Sequence, residues 1–188
     1  AWQYHLIDVI KTYEATKPKR HAVGMTVPYP NGTDAVVFAS AADWVSPNNQ
    51  THDYLSNPPA ADGRKVLVAD TDHLCGICGD RAWVWKSVTR GLHPILMDPY
   101  DTTGDPSYSP TDPGWADLRA NLGYARGYAT RLDLATMVPH GELASSGYCL
   151  ANPTAQGAYL AYLPTGGTVT LDLRGAPALL TVEWLNPG

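Results

Sequence analysis

The stretch that most constrains this chain is Lys65-Val-Leu-Val-Ala-Asp70-Thr-Asp72-His73. A short apolar run ends abruptly in two carboxylates and an imidazole, then breaks into Leu74-Cys-Gly-Ile-Cys-Gly-Asp80. An apolar β-branched run of this length suits a buried parallel strand, and the polar cluster falls at its carboxyl end. In α/β folds that end is where ligands and catalytic groups gather.

The chain around it alternates helical and extended patterns. Trp2, Leu6, Val9 or Ile10, and Tyr13 recur at helical spacing, and Pro18 ends that helix. With neither a Met start nor an N-cap before Trp2, the pattern reads as opening in mid-helix, partway through a larger architecture. Strands are expected over 21–27, 43–46, 65–69 and 93–97, with one or two helical turns in 34–42 and a loop over 52–63. Asp80 is positioned to cap a helix through Trp83 and Trp85 that ends near Arg90-Gly91. Trp115, Leu118, Leu122 and Ala125 mark the longest helix, over 115–132.

Beyond Pro139 the texture changes to short strands over 143–146, 148–151, 158–163, 168–173 and 179–184. Asn-Pro, Gly-Gly and Gly-Ala-Pro turns part them. The expected fold is therefore α/β: a (β/α)4 half of a TIM barrel over 1–138, followed by a small antiparallel β domain over 139–188.

Composition narrows the partners. The net charge is −5 and the basic residues are scattered, whereas neutralising phosphates needs a basic patch, so nucleic acid is not an expected partner. No apolar run is long enough to span a bilayer, so a membrane is not expected either. There is no basic-then-apolar leader, but a mature chain would look the same, which leaves secreted and cytoplasmic locations both open. Eleven Tyr and six Trp stand against one Phe, and residues with a flat apolar face and a hydrogen-bonding edge suit carbohydrate surfaces as well as cores. The three cysteines are Cys75, Cys78 and Cys149. Cys75-Gly-Ile-Cys78 has metal or redox spacing with His73 upstream. The chain lacks a second such pair to complete a tetrahedral site, so neither metal nor cofactor is expected and a local bridge or free thiols is the default.

Several longer motifs carry a resemblance. Pro18-Lys-Arg-His-Ala-Val-Gly-Met25, Ala42-Asp-Trp-Val-Ser-Pro47, Asn57-Pro-Pro-Ala-Ala-Asp-Gly-Arg-Lys65, Asp70-Thr-Asp-His73 and Trp83-Val-Trp-Lys86 belong to it. So do Arg90-Gly-Leu-His-Pro-Ile-Leu-Met-Asp-Pro-Tyr-Asp101 and Gly147-Tyr-Cys-Leu-Ala-Asn-Pro153. Together they resemble a group of bacterial TIM-barrel glycoside hydrolases related to apiosidases, with a C-terminal β domain labelled collagen-binding. The likeness covers almost the whole chain but only the second half of that barrel. It implies a nucleophile at the end of the seventh strand, which points to Asp70 with Asp72 next in line. It implies an acid/base in an Asn-Glu type motif that would lie before Ala1. The family's tryptophan and glycine after Asp-His stand here as Cys75 and Cys78.

Cleaving a glycoside takes two carboxyl groups, about 5–5.5 Å apart for retention or roughly 6.5–9.5 Å for inversion. Asp70 and Asp72 share a face if the strand stays extended, and like charges so close would push one pKa upward. Adjacent strands lie about 4.8 Å apart, which brings Asp98 within range of Asp70. The expected catalytic residues are thus Asp70, Asp72 and Asp98, with His73, Tyr100, Asp101 and Trp44 binding a carbohydrate substrate. A half-barrel has two open edges, so a homodimer through those edges is expected. Two rival readings are a non-catalytic carbohydrate-binding remnant and a hydrolase using the Cys75 or Cys78 thiol with His73.

Overall fold

A computed structural model describes residues 2–28, 30–100, 109–154, 157–176 and 179–188. The chain is mixed α/β, with a four-stranded parallel sheet and a separate three-stranded antiparallel sheet. The first unit runs α1 (Trp2–Glu14), β1 (Gly24–Thr26), α2 (Asp34–Ala39), β2 (Trp44–Ser46) and β3 (Val66–Asp70). It continues through a single helical turn, α3 (Thr71–Leu74), then α4 (Arg81–Thr89), β4 (Leu92–Ile95) and α5 (Pro113–Arg131). Strand order is β1-β2-β3-β4, with every pairing parallel.

The two faces of this sheet differ because the side-chain period is two. Met25, Val45, Leu67, Ala69 and Leu92 point to one face and are buried in a core with Val37, Val84, Trp85 and Leu118. Gly24, Thr26, Trp44, Ser46, Val66, Val68, Asp70, His93 and Ile95 alternate with them, on the opposite face. That face is open: Val66 and Ile95 are 48% and 49% exposed.

Helix ends follow local chemistry. Asp80 accepts the Trp83 N–H at 2.7 Å and caps α4 as expected, while Asp112 caps α5 through the Gly114 N–H with Pro113 next in line. Trp83 and Trp85 are core residues. Asn121 of α5 is fully buried. It accepts the Trp85 indole N–H at 2.8 Å and donates to the backbone oxygens of Asp117 and Pro187, so one side chain ties α4, α5 and the carboxyl-terminal segment.

The antiparallel sheet is β5 (Val138–Pro139), β6 (Cys149–Asn152) and β7 (Ala158–Ala161), in that order. It is smaller than the sequence suggests. The segments expected as strands at 143–146 and 168–173 meet only in one isolated bridge, Ala144 with Leu171. The expected strand at 179–184 is irregular where described. Glu183 is held against α5 by Arg131 and Tyr128 instead of by a neighbouring strand, and Val182 and Trp184 are largely exposed. Strand propensity needs a pairing edge to act on, and among the described residues this segment has none. Tyr162 stacks on Trp85 with ring centroids 6.4 Å apart, and Arg90 lies 4.8 Å over the Tyr148 ring, joining the two units. Among the described residues no helix is long and apolar enough to cross a membrane.

Replacing Asn121 by Ala strands the buried Trp85 N–H, a loss of about 1–3 kcal/mol. Urea denaturation of Asn121→Ala is expected to show a lower midpoint with an unchanged slope.

Candidate functional site

The open sheet face forms a concavity of about 450 Å³ lined by Ala22, Thr26, Asp43, Trp44, Ser46, Val66, Val68, Asp70 and Ile95. Its amino-end floor is aromatic. Trp44 begins β2, and its indole lies over Gly24, where even a methyl group would fall 1.9 Å from the ring. Gly24 is thus the space the indole occupies. Trp44 faces the concavity from the amino end of the strands, not from the carboxyl-end mouth. Beside it, the Lys11 ammonium and the Val23 N–H hold the Asp43 carboxyl below its usual pKa range.

The polar end is built by the turn that closes β3. Asp70 is the last strand residue, and its carboxylate accepts the Asp72 N–H at 3.1 Å, capping α3. Helix thus replaces strand at Thr71, so the alternation that would put Asp70 and Asp72 on one face stops there. The turn is fastened on both sides. The buried Thr71 hydroxyl accepts the Met97 N–H at 2.7 Å, and Asn49 donates to the Leu74 carbonyl at 3.1 Å. The Cys75–Cys78 disulfide closes the loop that follows.

His73 stands within this turn and makes two contacts. Its Nδ1 lies 2.8 Å from the Ser46 hydroxyl, and its Nε2 lies 3.8 Å from an Asp72 carboxylate oxygen. Ser46 is buried, His73 half-buried, and Asp72 exposed. The turn therefore gathers Asp70, Asp72 and His73 beside Ser46, and of these Asp70 and Ser46 line the concavity.

The second strand end is organised differently. Asp98 follows β4, and both its oxygens lie 3.0 Å from Arg119 Nε, with a further contact of 2.9 Å to the same guanidinium. That pairing commits Asp98 to α5 and raises the pKa of Arg119. Asp98 is not among the described residues lining the concavity. Tyr100 is 80% exposed, and Asp101 lies outside the described residues.

Sequence reasoning missed two participants. Ser46 is marked only by ending a strand before Pro47. Arg119 is one of several charges on a long helix, and nothing in its spacing singles out Asp98 as its partner. Among the described residues no group of three or more His, Cys, Asp or Glu is placed to hold a metal ion. The one free thiol, Cys149, is fully buried in β6, and burial pushes its pKa up to about 11. With Cys75 and Cys78 bridged, the expected alternative of a thiol nucleophile beside His73 has no thiolate to use. Comparison of the chain with protein-family models, with curated proteins and with solved structures finds no match.

Alkylation checks the cysteine assignment. Native protein at neutral pH is expected to take up no iodoacetamide, because the thiolate is the nucleophile and Cys149 is both buried and protonated. Unfolding without reductant should release one reactive thiol, and unfolding with reductant should release all three cysteines, as read by mass spectrometry.

Proposed function

We propose that this chain is a glycoside hydrolase-like protein acting through carboxylates at the carboxyl ends of parallel strands. In this reading its four-stranded sheet is one half of an eight-stranded (β/α) barrel. The observation that carries it is the position of Asp70. It closes β3 and lines the same concavity as the Trp44 indole, so a carboxylate and an aromatic floor share one surface. Aromatic faces stack on the apolar faces of sugar rings, and a strand-end carboxylate is suited to nucleophile or base. Asp72, beside His73, is the proton donor in this scheme. Asp98 is less suited, because Arg119 engages both of its oxygens.

The second reading, a carbohydrate-binding module without turnover, has its own support. Asp70 already caps α3 and Asp98 is already paired, so carboxylate chemistry has to compete with structural duties. Rates on a panel of aryl glycosides separate the two. The hydrolase reading expects Asp70→Asn to lower kcat by about a hundredfold or more, the usual scale for a positioned acid or base. Equal rates would remove Asp70 from the mechanism, and calorimetric sugar binding with no turnover would favour the module.

The same reading includes a dimer of half-barrels. Among the described strands β1 and β4 are the sheet edges, and a two-fold axis along the strands would set β1 of each copy beside β4 of the other with all strands parallel. Closure would also cover the half-exposed Val66 and Ile95. Static light scattering at micromolar concentration is expected to give twice the chain mass, and a clean monomer would sink the dimer.

A further inference from the structure

We infer that Ser46 is a positioning residue that locks His73 as the Nε2–H tautomer, so that His73 turns an N–H toward the Asp72 carboxylate. The role assigned to Asp72 rests on the hydrolase reading, while the tautomer does not.

The neighbours of the imidazole differ in what they are able to donate and accept. An ionised carboxylate only accepts hydrogen bonds, whereas a serine hydroxyl either donates or accepts. Nε2 faces the Asp72 carboxylate at 3.8 Å. A bare lone pair on Nε2 would oppose the negative oxygen, while an N–H there is attracted to it. In the neutral ring that places the proton on Nε2 and leaves Nδ1 as the acceptor. The Ser46 hydroxyl meets that need, because it lies 2.8 Å from Nδ1 and is buried. If His73 gains a proton, the same hydroxyl turns and accepts from Nδ1–H, so the ring stays in place in either state.

The orientation has a consequence for the site. Ser46 sits on β2 and Asp72 on the turn after β3, so the chain from hydroxyl to imidazole to carboxylate crosses between two strand ends. An N–H at Nε2 faces one oxygen of Asp72 across 3.8 Å, an electrostatic contact longer than a hydrogen bond. The other oxygen is left to carry the proton for the leaving group. Asp70 accepts its own cap bond from the Asp72 N–H, so the two carboxylates face different N–H groups.

The test has a spectroscopic arm and a kinetic arm. Long-range proton–nitrogen correlation spectra of the intact protein, at a pH where its histidines are neutral, report the tautomer. His73 is identified by the signal lost in His73→Gln. The expected result is an unprotonated Nδ1 and a protonated Nε2. A protonated Nδ1 in the neutral ring overturns the inference, whatever the protein hydrolyses. In Ser46→Ala the Nδ1 signal is expected to move as its donor disappears, and Ser46→Thr, which keeps the hydroxyl, should restore it. On aryl glycosides Ser46→Ala should lower kcat about three- to tenfold, the scale of one hydrogen bond, and Ser46→Thr should recover the loss. An unchanged kcat in Ser46→Ala overturns the positioning role. Absence of turnover in every variant, with the expected tautomer present, defeats the hydrolase reading and leaves the assignment of His73 intact.

Discussion

Parallel strands are ordinarily covered on both faces, because crossover connections carry helices to each side or the sheet curls until its inner face closes. Here the core beside α2, α4 and α5 covers only the face bearing Met25, Val45, Leu67, Ala69 and Leu92. Among the described residues the opposite face stays partly exposed, and its residues are a mixture that neither a core nor a solvated surface would choose. Val66, Val68 and Ile95 are apolar, Trp44 is large and aromatic, and Thr26, Ser46 and Asp70 are polar toward the carboxyl ends. The proposed sugar site and the proposed pairing of two sheets both rest on that surface.

The turn after β3 is where that surface acquires its chemistry. Asp70 ends the strand by capping, and Thr71 and Asn49 tie the turn to the neighbouring segments. The disulfide closes the loop beyond. These restraints act on backbone, which leaves the side chains of Asp72 and His73 to be set by their own contacts. His73 is the better held of the two, because its Nδ1 partner is a buried hydroxyl on another strand. Asp98 shows the opposite case. Its carboxylate is engaged by α5, and a strand-end location alone did not bring it into the concavity.

Much of the fold was legible from local pattern. Residues 66–69 read as a strand because apolar residues, two of them β-branched valines, ran without interruption, and α4 announced its start with Asp80 and its content with two core tryptophans. The β tail was less legible. Segments such as 168–173 and 179–184 alternate like strands, but an alternating segment becomes a strand only beside a free edge. Leu171 found one partner residue, and Glu183 found a helix instead. The candidate site was half legible. Asp70 and His73 stood in a conspicuous motif, while Ser46 and Arg119 come from distant segments and gave no local sign.

The sequence by itself determined where the strands of the parallel sheet lie, which of their residues are apolar, and that carboxylates and an imidazole stand at the end of the third. Those are properties of neighbouring residues, set by periodicity and capping. Only the tertiary structure decided which carboxylate faces the concavity, which is claimed by an arginine, and which hydroxyl meets His73. It also decided that Cys149 is buried and protonated. Each of these depends on contacts between residues far apart in the chain or on burial, and no local pattern encodes either.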